Sequence, residues 1–416
     1  LKFVRTIALK IRENGFVEQL MSKKKIAFLS LSVALMLSLI GGALFGQASQ
    51  KNSPYRYLSI FTEVFDLVRN NYVEAVPSDQ LLDGAFNGVT DAVDEFSYYV
   101  PPAQMAAYRN FADIDDNGVG LVVTKRFGYG YVIAPVASSP AAKAGIERGD
   151  FIEKIDGQPT ARMAVWQVRN ALRASHPVHV QVLRGGQTKR DEFTIQATPF
   201  HPVALTTKQY EGVAYIKVPF FEKGTAEQFR TALENVRKSG TRKLIVDVRG
   251  NAGGDVDEAI ASADALLTGG IITSLEGRKI EPRRWTADHN ADYDGQVEVL
   301  TDSSTAAGGE IFAAAIHGNN RGKTVGVTTY GKSVVQKLIA LPSGGAVYMT
   351  IAHYTTPELK PIKDGGVKPD VVVDMTAQVL RDPEAKKEAP KTPKPDVILE
   401  KALQLFSEPA AAKKAA

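Results

Sequence analysis

Lys243–Gly254 reads KLIVDVRGNAGG, and a helical run follows from Asp255 to Leu267. Lys243–Val248 is a short apolar run that leads into a glycine loop, the pattern of a buried strand. A strand that passes through a glycine loop into a helix leaves free backbone amides at the end of a sheet. Such amides can cradle a phosphate or hold an oxyanion. A phosphate loop needs GxxxxGK[ST], but no Lys-Ser/Thr follows Gly254, and a dinucleotide fingerprint is absent too. An oxyanion hole is the better reading.

A second turn of this kind lies downstream. The apolar strand Val297–Thr301 leads into Asp302-Ser303-Ser304-Thr305-Ala306-Ala307-Gly308-Gly309-Glu310-Ile311, with a helix expected over Glu310–His317. Small residues at such a turn let a side chain project to where a substrate backbone can reach it. After the strand Lys323–Gly326 comes Tyr330-Gly331-Lys332-Ser333-Val334-Val335-Gln336. A lysine in mostly apolar surroundings can be held neutral by desolvation and act as a base. From Val203 to Met375 strands and helices alternate, which predicts an α/β layer. The clearest helix is Ala226–Lys238, with a capping box from Thr225 to Gln228, a buried stripe of Phe229, Ala232, Leu233 and Val236, and a stop at Gly240.

Upstream, residues 118–198 read as short strands separated by glycine and proline, with one helix at Ala164–Arg173. Gly118-Val119-Gly120-Leu121 is a glycine turn entering an apolar strand, and glycine lets a ligand approach the backbone closely. Asp113-x-Asp115-x-Asn117-Gly118 matches the start of a calcium loop, but its twelfth position is Thr124 and no flanking helices are expected. From Tyr55 to Tyr108 the pattern is helical, with Leu58, Ile60, Phe61, Val64, Phe65 and Val68 at i, i+3, i+4 spacing.

At the outer edges, Lys23-Lys24-Lys25 precedes the uncharged run Ile26–Gly46, the pattern of an export signal. The run approaches the ~20 residues that span a bilayer. Gly46-Gln47-Ala48 suits cleavage, so a cleaved signal and a retained anchor both stay open. Asp382–Lys394 is a Lys/Pro/Ala-rich linker, followed by the amphipathic stretch Val397–Phe406 and a solvated tail.

Composition narrows the function classes. The 416 residues hold 50 Lys+Arg and 46 Asp+Glu, a net charge of +4, too small and too scattered for a dedicated nucleic-acid binder. With no cysteine, disulfides, thiolate metal sites and a cysteine nucleophile are excluded. None of the six histidines stands in a metal-like pair, and His176-x-x-His179 reads as surface. No GxSxG elbow is present.

Two resemblances follow from these motifs. Residues 118–198, above all SPAAKAGIERGDFIEKIDG, resemble a PDZ domain in the circularly permuted order of bacterial proteases. This implies a strand–helix groove for an extended peptide, with its terminal carboxylate held by amides of Gly118, Val119, Gly120 and Leu121. The region Tyr55–Phe406 resembles the carboxyl-terminal processing (tail-specific) proteases, which use a Ser-Lys dyad. The family's DLRNNPGG, FGKGxVQ and GI-x-PDI elements correspond to DVRGNAGG at Asp247–Gly254, YGKSVVQ at Tyr330–Gln336 and GVKPDV at Gly366–Val371. The resemblance implies Lys332 as general base, Gln336 as its orienting partner, and an oxyanion hole from the amides of Gly253, Gly254 and Gly308.

The nucleophile loop departs from the family. SASASEI or TASASEI is replaced by Thr305–Ile311, TAAGGEI, which puts Ala307 at the nucleophile position, with the family's spacing of twenty-five residues to Lys332. A methyl group cannot attack a carbonyl. Three accounts stay open: a serine-to-alanine inactivated form, a natural pseudoprotease, or a shifted nucleophile at Ser303, Ser304 or Thr305. The fold expected is a mixed α+β and α/β multidomain chain. It comprises an upstream extension (1–20), a signal or anchor (21–48), a helical region (55–115), a PDZ domain (116–198), a crotonase-like protease core (199–378) and a C-terminal linker, helix and tail (379–416). The function expected is an exported bacterial serine endopeptidase that cleaves protein C-terminal tails, inactive as written; the alternative is a PDZ adaptor. No metal or organic cofactor is required. The partners implied are proteins or peptides with free C-termini, and a homo-oligomer or an adaptor protein stays open. Nucleic acid is not among them, and membrane association would run through residues 26–46. The location implied is the periplasm, or the inner membrane facing it.

Overall fold

The computed structural model describes residues 27–38, 54–112, 118–184, 189–201, 203–363, 365–374 and 395–407. The chain divides into two units, Leu1–Leu82 and Asp83–Ala416. In the first, residues 27–38 are helical and exposed. Among the described residues no helix is long and apolar enough to cross a membrane. The basic cluster Lys23–Lys25, the remainder of the apolar run and the Gly46–Ala48 site lie outside the described residues. Helix α1 (Pro54–Asn71) forms where the spacing predicts it, yet Leu58, Phe61 and Val64 of its apolar stripe are exposed. Helix α2 (Ser78–Asp91) follows.

The continuous helical pattern expected up to Tyr108 is interrupted. The Asp94 carboxylate accepts the amides of Phe96 (2.8 Å) and Ser97 (2.7 Å), and this turn opens a fully buried strand, β1 (Tyr98–Val100). Pro101 and Pro102 then separate it from α3 (Met105–Ala112).

Next comes a small antiparallel sheet. Its elements are β2 (Leu121–Arg126), β3 (Tyr129–Pro135), α4 (Pro140–Ala144), β4 (Phe151–Ile155), β5 (Gln158–Pro159), α5 (Val165–Ala171), β6 (Val178–Arg184) and β7 (Lys189–Ile195). Strand order is β2-β3-β4-β6-β7, with β5 beside β4, around a core that includes Val123, Val132, Ile152, Val168 and Val180. The motif SPAAKAG folds as its chemistry dictates. The Ser139 hydroxyl caps α4 by accepting the Ala142 amide, Pro140 occupies the first helical position, and Gly145 ends the helix at φ 88°. Residues 113–117, where the partial calcium-loop match begins, lie outside the described residues.

A second sheet draws on β8 (Thr206–Tyr210), β9 (Val213–Lys217) and β10 (Lys243–Asp247), with helices α6 (Thr225–Lys238) and α7 (Val256–Asp264) between and after them. The chain continues through β11 (Gly270–Gly277), β12 (Ile280–Ala287), β13 (Gln296–Thr301), α8 (Gly308–Gly318), β14 (Lys323–Gly326), β15 (Val334–Ala340), β16 (Ala346–Thr355), β17 (Val371–Val372) and α9 (Val397–Ser407). The order β17-β14-β13-β10-β9-β8 is parallel except at β8–β9, with Val246 opposite Val299 and Ile216. Both faces are covered, so its central strands read as unbroken apolar runs. Phe229, Leu233, Ile260 and Phe312 from α6, α7 and α8 pack on one face. Ile398 and Ala402 of α9 pack on Tyr215, Ile245 and Leu300 of the other.

Two expectations change here. The capping box at Thr225 does not form. Gly224 is the N-cap at φ 92°, and the Glu258 carboxylate accepts the amides of Gly224 (2.9 Å) and Ala226 (2.8 Å), so an acid from α7 serves the helix end. A third, antiparallel sheet, β1-β16-β11-β12 with β15 beside β16, is added to the α/β layer. Its strands β12 and β15 bury few side chains completely, so they leave only a weak apolar pattern in the sequence.

Candidate active site

β10 ends on a buried acid. Asp247 accepts the Tyr215 hydroxyl (2.6 Å), Lys217 Nζ (3.0 Å), the Arg249 amide (2.8 Å) and Arg249 Nη2 (2.7 Å). Burial alone would raise its pKa, but the Lys217 charge and the Arg249 fork override it and hold the carboxyl at about 2. The glycine loop thus starts from a fixed point. Asp302, after β13, holds the loop's next residue: its Oδ1 accepts the amides of Gly250 (3.0 Å) and Ser304 (3.0 Å), and its Oδ2 pairs with Arg148 of the small sheet. The Ala306 amide donates to the Asn251 carbonyl (2.8 Å), which joins the two strand-to-helix turns. Gly254 stands at φ 110°, where a Cβ would lie 2.0 Å from the Phe221 carbonyl oxygen. Among the described residues the amides of Gly253, Gly254 and Gly308 donate to nothing. They are available to a ligand oxygen.

Ala307 occupies a costly backbone conformation, φ 48° and ψ −116°, at the entry to α8. What holds it there is Glu310, fully buried on the first turn of α8. Its Oε2 accepts the amides of Ala307 (3.2 Å) and Lys332 (2.7 Å) and the Ser333 hydroxyl (3.1 Å), and its Oε1 accepts the Thr329 hydroxyl (2.5 Å) and the Gly331 amide (2.6 Å). Burial pushes this carboxyl up, against the pull of those bonds. One side chain therefore ties Ala307 to the lysine loop. Sequence reading missed it, although an acid three residues into a helix after a small-residue turn is a capping signal.

Lys332 is half-buried, with Nζ 4.9 Å from the centre of the Phe96 ring. No hydrogen bond reaches that Nζ among the described residues. Burial, helped by the positive charge of Arg169, lowers its pKa to about 8, with Glu95 and Asp94 opposing. The Gln336 amide donates to the Phe96 carbonyl (2.9 Å) rather than to the lysine. Both side chains line one cavity of about 240 Å³ with Gly253, Gly254, Gly120 and Leu121. The expected peptide turn and the expected catalytic loop therefore meet in a single space. Within the turn, the Val119 amide is already committed to the Leu172 carbonyl (3.1 Å), and Gly120 at φ 78° could not carry a Cβ, which would meet Ser139 Cβ at 2.1 Å. Ile133 and Ala134 of β3 pack against Ala252 and Ala306, seating the small sheet on both turns.

Ala307 and Gly308 are not on that cavity's wall; Glu310 connects them to it. The other hydroxyls lie elsewhere. The Thr305 hydroxyl donates to the Val248 carbonyl (3.0 Å) and accepts the Asp302 amide (3.1 Å). Ser304 is buried, and Ser303 lines a separate cavity of about 700 Å³ with Glu95, Arg126 and Tyr330. His176 and His179 are exposed, as read.

Residues 212–373 match the model of peptidase family S41, and residues 131–184 match a PDZ domain model. The chain is 32% identical over 362 residues to a carboxy-terminal-processing protease of Bartonella bacilliformis, covering 84% of this chain and 83% of the relative. It is 26% identical over 353 residues to the carboxy-terminal processing protease CtpA of Bacillus subtilis, covering 82% and 74%. Among solved structures it is similar to the photosystem II D1 C-terminal processing protease, with a TM-score of 0.61 and 25% identity over 76% of this chain and 92% of that one.

Proposed function

This chain belongs to the carboxy-terminal processing proteases of peptidase family S41, and we propose that it is an exported endopeptidase scaffold whose serine–lysine dyad lacks its serine. In the complete dyad a hydroxyl at position 307 attacks the scissile carbonyl and Lys332 takes its proton. The amides of Gly253, Gly254 and Gly308 hold the oxyanion; as it collapses, the peptide bond breaks and the amine leaves with the proton that Lys332 carries, and water then releases the acyl group. Substrate tails enter along the groove between β2 and α5, with their carboxylate near Gly120 and Leu121. With Ala307 the chain binds tails and does not cut them. The basic cluster before the apolar run at 26–46 supports a working place beyond the cytoplasmic membrane.

The observation that carries this reading is Lys332: an amine starved of hydrogen-bond partners, in a cavity shared with unbonded glycine amides and the peptide turn. A second reading, an adaptor that never cleaves, draws support from residue 309. A Cβ there would meet the Asn251 carbonyl oxygen at 2.8 Å, so the turn is packed for glycine where the family loop carries serine.

One experiment separates them. Ala307→Ser is expected to degrade an unfolded protein with an apolar C-terminus, whereas the adaptor would bind that tail and leave it intact. Amidating a tail peptide should weaken its binding by about 1.5–3 kcal/mol. Equal binding of free and amidated peptide would remove the carboxylate site from the proposal.

A further inference from the structure

We propose that helix α9 is a working part of the catalytic loop, and that Asp396 at its N-terminus is a positioning residue which, through Arg249, holds the amides of Gly253 and Gly254 in register. The proposal rests on the oxyanion reading given above.

Arg249 is the first residue of the glycine loop, and two carboxylates share its guanidinium. Asp247 takes Nε (3.0 Å) and Nη2 (2.7 Å); Asp396 takes Nη1 (2.6 Å) and Nη2 (2.8 Å). Lys217 Nζ donates to the Arg249 carbonyl (2.5 Å). Two anions and two cations thus balance in a cluster that is buried at Asp247 and opens to solvent at Asp396. Asp247 is already occupied by Tyr215 and Lys217, so without Asp396 the cluster carries an excess positive charge and Arg249 loses its outer support. Burial would raise the Asp396 carboxyl, but Arg249 holds it below the usual range.

The outer support is rigid. Asp396 Oδ1 also accepts the Leu399 amide (3.1 Å), which caps α9, and α9 is fixed by Ile398 and Ala402 against the sheet. Three residues separate Arg249 from Gly253; Asp302 holds the Gly250 amide, the Asn251 carbonyl takes the Ala306 amide and the Gly253 carbonyl takes the Phe221 amide, so Arg249 anchors the near end of a loop whose far end is fixed elsewhere. Oxyanion donors must be preorganised to within a few tenths of an ångström to act on the transition state.

Two variants separate positioning from capping. Asp396→Ser keeps a good helix cap and removes the carboxylate fork; Asp396→Ala removes both. In the full-length Ala307 protein, hydrogen exchange of the bonded amides of Gly250 and Asn251 is expected to quicken about tenfold in both variants, with 399–406 unchanged in Asp396→Ser. In the Ala307→Ser protein both variants should lower kcat about tenfold and leave KM within about twofold, since a displaced oxyanion donor acts on the transition state and not on tail binding. An unchanged kcat for Asp396→Ser in an active serine form overturns the proposal. If Ala307→Ser shows no activity, the dyad reading fails separately, and unchanged exchange at the Gly250 and Asn251 amides then overturns the role of Asp396.

Discussion

Asp247 at the end of β10 and Lys332 before β15 are both charges withdrawn from water, and the protein treats them in opposite ways. Asp247 receives a hydroxyl, an ammonium, a guanidinium and an amide, and its carboxyl sits at about 2. Lys332 receives an aromatic face and the nearby charge of Arg169, and its amine falls to about 8. A buried ion with full company is a strut: removing one partner strands the rest. A buried ion without company is kept ready to change protonation state, which is what a general base needs near neutral pH.

The contrast can be broken most severely at the lysine. In the Ala307→Ser protein, Lys332→Ala is expected to lower proteolysis by about 10³–10⁴-fold with folding intact, within the range for general acid–base groups. Undiminished activity would reduce Lys332 to a bystander. At the strut the expected effect is on stability. Asp247→Asn should cost about 3–5 kcal/mol in urea unfolding, because Lys217 and Arg249 are left without their anion. The same pKa shift gives a sign: the folded carboxyl lies below its unfolded value, so its contribution is present at neutral pH and is lost as pH falls through about 2.

Glu298 on β13 tests whether a starved charge without a task is only a burden. It is buried beneath α9, its Oε2 has no hydrogen-bond partner among the described residues, and burial raises it to about 7 against the charge of Lys323. The folded state holds a proton there that the unfolded chain releases above about 4.5, so stability falls as pH rises from there through 7. Glu298→Gln should therefore stabilise by about 2 kcal/mol at pH 8 and by nothing measurable at pH 4. The mildest test is the rate profile of the serine form, which should rise about tenfold between pH 7 and 9 and then level as Lys332 loses its proton. A flat profile would place the lysine among the struts.

The sequence made this site legible in pieces. Strand, glycine loop and helix at Lys243–Leu267 could be read because a doubly covered parallel strand is a plain apolar run, and the SPAAKAG helix because its cap, proline and terminal glycine are local. Lys332 and Ala307 were placed by motif and spacing. What escaped was non-local. Glu310 gathers donors from residues 307–333, and Asp396 reaches Arg249 across 147 residues, so neither leaves a periodic trace. The Thr225 capping box was a sound local inference overruled by Glu258 from another helix. The antiparallel sheet escaped because partly exposed strands carry weak patterns, and β1 hid behind a helical reading until its two prolines.

Ala307 holds a strained backbone at φ 48° with no hydroxyl to make use of it. Selection acting on this chain would face a standing load there of about 1–3 kcal/mol, the usual magnitude for a non-glycine residue so placed. Drift removes such loads readily, because a single change to glycine relaxes the backbone. Glycine at 307 would relax that backbone, whereas the alanine present keeps the geometry at that cost.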